Sequence, residues 1–196
     1  MQNLARGLSV AAVSIAALAI GSPTKNSVID TRLSAHCETA TLAGGCFWGL
    51  QEALRHIPGV IVTTVGYTGG TTPNPTYEQV ATGKTGHAEA VQVIFDPTQL
   101  SYEQLLKDFF RVHDPTSPRD SRPGVKVEYR SAIFYHSEEQ RQIAERVKEE
   151  VSESGKWKYP VVTEITPATQ FYPAEAYHQD YFERISGAHA CRMIPN

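Results

Sequence analysis

The sequence predicts an α+β fold: a ferredoxin-like two-layer α/β sandwich with added helices and long loops. Three observations point there. Short β-branched or alternating runs have the length of strands, apolar residues between them recur at helical spacing, and the order makes two strand–helix–strand units. A doubly wound parallel sheet competes, but it normally needs more strands in a row.

The first strand is read over Thr39–Ala43. Phe47, Leu50, Leu54 and Ile57 then mark one face of a helix, and Pro58-Gly59 stops it. Strands follow at Val60–Gly66 and His87–Phe95. Ser101 with Gln104 reads as a capping box ahead of "YEQLLKDFFRV". A strand at Arg130–Tyr135 leads to a second such box, Ser137 with Gln140, opening a helix that ends near Gly155. A strand at Val161–Ile165 and a helix over Ala174–Arg184, introduced by Pro173, complete the set. Tyr67–Thr76, His113–Glu128 and Ser186–Asn196 resist regular structure, and loops of that length in a compact domain are often functional.

The chain has 196 residues and a net charge of -3, with no internal repeat, so nothing suggests a nucleic-acid partner. Its first residues differ in kind. Arg6 precedes an apolar run from Leu8 to Ile20, followed by Gly21 and Pro23. That run is about 13 residues, short of the ~20 that span a bilayer, and has the layout of a secretory signal. The expected organisation is a signal peptide at 1–21, a flexible lead at 22–36 and one domain at 37–196. The protein is expected to be exported, periplasmic or secreted, or held at the membrane by an uncleaved signal. No stable membrane domain is expected, and a monomer is the default for a domain this size.

The three cysteines are Cys37, Cys46 and Cys191. An odd number without CxxC or zinc-site spacing argues against a disulfide scaffold or a metal site, and no cofactor is implied. His87, His113 and His178 lie far apart in sequence and read as structural hydrogen-bonding residues. Cys46 is different. It sits in "LAGGCFWGLQEAL", at the expected start of a helix, where outward N–H groups favour a thiolate. Gly44 and Gly45 suit a tight strand-to-helix turn. An ordinary thiol, pKa ~8.5, is only about 3% ionised at pH 7, and a helix terminus lowers that value by up to roughly 1.5 units. Trp48 lies off the apolar stripe and suits a pocket wall; Phe47 suits either core or pocket.

"GGCFWGLQEAL", "GYTGGTTPNPTYEQV", "TGHAEAVQVIFDP", "YRSAIFYHS" and "AEAYHQDY" together resemble the A-type peptide methionine sulfoxide reductases, in the family's order, over nearly all of residues 39 to 191. The resemblance implies Cys46 as the nucleophile and Phe47 and Trp48 as the aromatics around the substrate methyl group. It implies Glu89 as the acid that protonates the sulfoxide oxygen, with Tyr77 and Tyr129 donating to that oxygen. By position Cys191 resembles the resolving cysteine, reduced in turn by a thioredoxin-like partner, although "SGAHACRMIPN" matches the family more loosely. The implied substrate is the S epimer of methionine sulfoxide, free or in proteins. Cys37 has no counterpart.

The chemistry fits these residue types. Sulfoxide oxygen leaves poorly, so thiolate attack needs a delivered proton. Glu89 holds one near pH 7 only if burial raises it from ~4.3. The sequence departs from the family in the loop before Tyr129, where "RPGVKVEYRS" puts Gly124 in place of an aspartate and Glu128 in place of a glutamine. The departure implies a changed rate or substrate range. A thiol peroxidase or disulfide oxidoreductase explains Cys46 but not Glu89 with two tyrosines. A binder of oxidised methionine that does not turn over is the alternative from another class.

Overall fold

The computed structural model describes residues 37–116 and 126–185. The predicted signal peptide and lead, Gly124 and Cys191 lie outside the described residues. Those described form β1 (Glu38–Ala43), α1 (Phe47–Arg55), β2 (Val60–Thr68), α2 (Tyr77–Val80), β3 (Ala88–Phe95), α3 (Tyr102–Val112), β4 (Ala132–Tyr135), α4 (Glu138–Glu153), β5 (Glu164–Pro167), β6 (Tyr172–Pro173) and α5 (Tyr181–Arg184). A single 3-10 turn, Val127–Tyr129, precedes β4. The fold is α+β: one mixed six-stranded sheet, ordered β5-β4-β1-β3-β2-β6, with five α-helices among the described residues.

Strand alternation divides the sheet into two unlike faces. Leu42, Val65, Val91, Val93 and Phe95 join Leu50 and Leu54 of α1 and Leu105, Leu106 and Phe109 of α3 in the main core. On the other face Ala43, Ala88, Ala90 and Ala132 make a shallow cluster with Phe134, covered by Ala168 and Phe171. β3 is central: it pairs antiparallel with β1 from Glu38↔Phe95 to Leu42↔Val91, and with β2 as far as Tyr67↔Glu89 and Thr68↔Ala88. β5 alone runs parallel to its neighbour, β4. No helix among the described residues is long and apolar enough to cross a membrane.

Ser101 and Ser137 accept from the backbone N–H of Gln104 and Gln140, as their spacing predicts. Neither glutamine completes its box: the Gln104 side chain donates to Asp108, and that of Gln140 takes the N–H of His136 and donates to the carbonyl of Thr39, tying α4 to β1. The reciprocal box occurs instead at Thr76 and Gln79, opening the unpredicted α2.

Two predicted elements differ. The strand expected at Val161–Ile165 begins three residues later and runs over Glu164–Pro167, because Val162 donates its N–H to Pro115 in a loop rather than to β4. The helix expected over Ala174–Arg184 is confined to Tyr181–Arg184. Asp180 adopts φ +53°, and Gln179 bonds both backbone groups of Val65, so 174–180 docks on β2 as a turn.

Candidate active site

Cys46 is the N-cap of α1, in extended conformation at φ -63° and ψ 123°, and it is exposed. The turn that presents it is tight. Gly45 holds φ +83°, a region L side chains rarely adopt, and its N–H bonds to the carbonyl of Tyr129. At Gly44 a Cβ would lie 2.8 Å from the ring of His113 and 2.9 Å from that of Phe109. That floor is firm: His113 bonds the carbonyl of Phe109 at 2.7 Å and the hydroxyl of Ser131 at 2.8 Å, and Ser131 bonds Thr163. Burial holds the imidazole neutral, its pKa pushed down to about 4.

The first turn of α1 has no acidic residue of its own and no side-chain cap. Its cap comes from the sheet. Ala88 and Ala90 face the shallow side of β3, so Glu89 points to the helix side, where its Oε2 accepts the backbone N–H of Phe47 at 3.0 Å. Glu89 is only 2% exposed. Burial raises its pKa to about 7, against the Phe47 N–H, which favours the ionised form; Glu128 nearby raises it further and Lys126 lowers it. Carboxyl and thiol thus meet at one helix terminus.

The two tyrosines close the site. Tyr77 opens α2 and Tyr129 ends the 3-10 turn. Burial is the main cause raising both phenols, and both feel Glu89 and Cys46. Tyr129 acts on Tyr77 in the opposite sense, favouring its ionised form. Phe47 is buried against Tyr67 and His178, so it serves core and site together. The indole of Trp48 stacks on Tyr181, with centroids 3.6 Å apart and planes 4° from parallel.

The predicted residues Cys46, Phe47, Trp48, Tyr77, Glu89 and Tyr129 therefore converge on the start of α1. Two further residues, missed as site residues in the sequence, hold the walls. His178 accepts the Trp48 indole N–H on Nδ1 at 3.0 Å and packs on Tyr77 with centroids 4.5 Å apart. Burial keeps its pKa below the usual histidine value, so the neutral ring accepts at Nδ1. Glu175 accepts the Tyr67 hydroxyl and the Tyr77 backbone N–H, each at 2.9 Å. Both lie in "AEAYHQDY", three residues apart. Gln51, which the helical pattern puts on the polar face, is buried and anchors Asp180.

His87 pins the 69–72 loop through Gly70 and Thr72, so all three histidines singled out in the sequence make structural hydrogen bonds. Among the described residues no three of His, Cys, Asp or Glu are grouped to hold a metal ion. A cavity of about 440 Å³, lined by Glu52, Arg55, Val62 and Glu183, lies at the other end of α1.

Comparison with known proteins agrees across sequence and fold. Residues 38–196 match the family model described as peptide methionine sulfoxide reductase. A peptide methionine sulfoxide reductase MsrA from Methanosarcina mazei is 58% identical over 147 residues, covering 75% of this chain and 70% of that protein. The crystal structure of reduced Mxr1 from Saccharomyces cerevisiae superimposes with a TM-score of 0.72 at 34% identity, over 82% of this chain and 92% of that one. Mxr1 crystallised in complex with Trx2 gives 0.53 at 29% identity, over 76% and 86%.

Proposed function

The chain belongs to the peptide methionine sulfoxide reductase family, and from that premise we propose how its residues share the reaction. The activity is the reduction of the S epimer of methionine sulfoxide to methionine, that of a peptide-methionine (S)-S-oxide reductase.

Cys46 is the nucleophile. Its thiolate attacks the sulfoxide sulfur while Glu89 passes a proton to the oxygen. An Sγ–S bond forms and then breaks together with the S–O bond as the oxygen, carrying that proton, passes to Sγ, which leaves Cys46 as a sulfenic acid and releases methionine. The cysteine sulfur is oxidised by two electrons and the substrate sulfur reduced by two. Tyr77 and Tyr129 donate to the same oxygen, and Phe47 and Trp48 flank the methyl group. The observation that carries this assignment is the 3.0 Å bond from the Phe47 N–H to Glu89, which brings a carboxyl with pKa about 7 to the helix end that Cys46 caps.

Cys191 then condenses with the sulfenic acid, releasing water and leaving a disulfide, which a thioredoxin-like dithiol reduces. The Mxr1–Trx2 complex supports that class of donor. Residues 1–21 direct export, on the strength of their sequence pattern. The strand order β4-β1-β3-β2 supports reading the sheet as a ferredoxin-like core with β5 and β6 added at its edges.

A single-turnover count tests the assignment. Reduced protein is mixed with excess S-epimer methionine sulfoxide and no reductant. One methionine per chain, with Cys46 and Cys191 joined in the peptide map, is expected. Cys191→Ser should still form one methionine and leave Cys46 as sulfenic acid. No methionine from the reduced wild-type chain overturns the scheme.

A further inference from the structure

We propose that Glu128 is a positioning residue for the acid: its buried carboxylate, opposed by the exposed ammonium of Lys126, adjusts the charge state in which Glu89 meets the substrate. The inference rests on the reading of Glu89 as proton donor.

The geometry is local and uneven. Glu128 stands in the 3-10 turn that packs against β3, and its side chain is 3% exposed. Carboxylates are rarely buried without a partner. Lys126 offers only a distant one: its Nζ is 4.0 Å from Glu128 Oε1 and lies 5.4 Å from the ring centroid of Tyr129, on a side chain 59% exposed. On its other side Glu128 Oε2 closes over Gly83, where a Cβ would come within 3.7 Å. The carboxylate is thus enclosed beside the site, while the cation stands at its rim.

The groups that face Glu89 can be named by element. Cys46 and the Phe47 N–H come from α1, Tyr67 from β2, Tyr77 from α2, and Lys126, Glu128 and Tyr129 from the turn. The phenols are all pushed above their ordinary value and stay neutral at pH 7, leaving Glu128 and Lys126, besides the thiol, as the groups whose charge Glu89 feels. Burial supplies most of the upward push on Glu89; Glu128 adds to it and Lys126 subtracts. The two do not respond alike to solution conditions. Salt screens the exposed cation far more than the enclosed carboxylate, so added salt shifts the balance toward the protonated acid.

The test reads Glu89 directly in the full chain. The infrared carbonyl band of its protonated carboxyl is assigned by its loss in Glu89→Gln and titrated in wild type, Glu128→Gln and Lys126→Gln. The wild-type midpoint is expected near 7. Glu128→Gln should lower it by about one pH unit, and Lys126→Gln should raise it by a few tenths, with 1 M salt abolishing most of the lysine effect. An unmoved midpoint in Glu128→Gln overturns the inference, whatever the variant's activity. If Glu128→Gln fails to fold, the Lys126→Gln midpoint decides: a rise supports the opposed pair, and no rise overturns it. The alkaline limb of single-turnover rate should follow the infrared midpoint. A midpoint that moves under a fixed limb supports the coupling and removes Glu89 as the proton donor.

Discussion

Glu89 caps the helix that begins after Cys46: its Oε2 accepts the Phe47 N–H at 3.0 Å, across 42 residues of sequence. A helix N-terminus attracts negative charge, whereas burial resists it, and for Glu89 burial wins. The result is an acid still about half protonated at neutral pH, beside a helix end that favours an ionised thiol.

That balance has a cost in stability. The folded-state pKa of Glu89, about 7, lies above the ordinary 4.5, so the folded chain binds the proton more tightly than the unfolded one. The stabilisation is whole below about pH 4.5 and is lost as the pH rises toward 7, a change of about 3 kcal/mol. Glu89→Gln stays neutral and keeps an oxygen for Phe47. Urea unfolding should find it level with wild type near pH 5 and about 2–3 kcal/mol more stable at pH 8. Its single-turnover rate should fall by roughly 10²–10⁴.

His178→Phe keeps a ring against Tyr77 and removes the acceptor of the Trp48 indole. The indole N–H then loses its partner at about 1–2 kcal/mol, visible as a lower urea midpoint. Because the loss loosens a wall rather than the reacting groups, KM should rise severalfold with kcat little changed. A fall in kcat at constant KM would contradict that division.

Glu175→Gln leaves one carbonyl oxygen where two acceptors are used, by the Tyr67 hydroxyl and the Tyr77 N–H. One donor must go without. At this partly exposed position the expected loss is about 1 kcal/mol, and amide exchange at Tyr77 should speed up most.

Gly44→Ala drives a methyl into the rings of His113 and Phe109, both buried and one held by two hydrogen bonds. Overpacking of this kind costs about 1–3 kcal/mol. The displacement falls two residues before Cys46, so the rate of thiol alkylation should change together with the melting temperature.

Much of this arrangement was legible in the sequence where one residue pattern had one physical outcome. The Gly-Gly-Cys turn, the stripe of Leu50 and Leu54, and the serine caps all name their structures. The start of the strand at 164–167 is not legible because Val161–Thr163 is equally β-branched; only tertiary partners, Pro115 for Val162 and Ser131 for Thr163, decide against pairing there. The shortened last helix turns on Asp180 at positive φ and on Gln179 reaching Val65, contacts that no periodicity encodes. Glu175 and His178 carry a visible i, i+3 spacing in a quoted motif, yet their roles exist only once Trp48 and Tyr77 stand beside them.

The pairing of β3 bears on chemistry as well as on stability. Alternation places alanine on either side of Glu89, facing away. A slip of one residue would therefore exchange the acid for a methyl group and send the carboxyl to the opposite layer, a switch from competent to inert with no intermediate grade. Held between β1 and β2, the strand cannot drift in small steps, and the proton donor inherits that all-or-none placement.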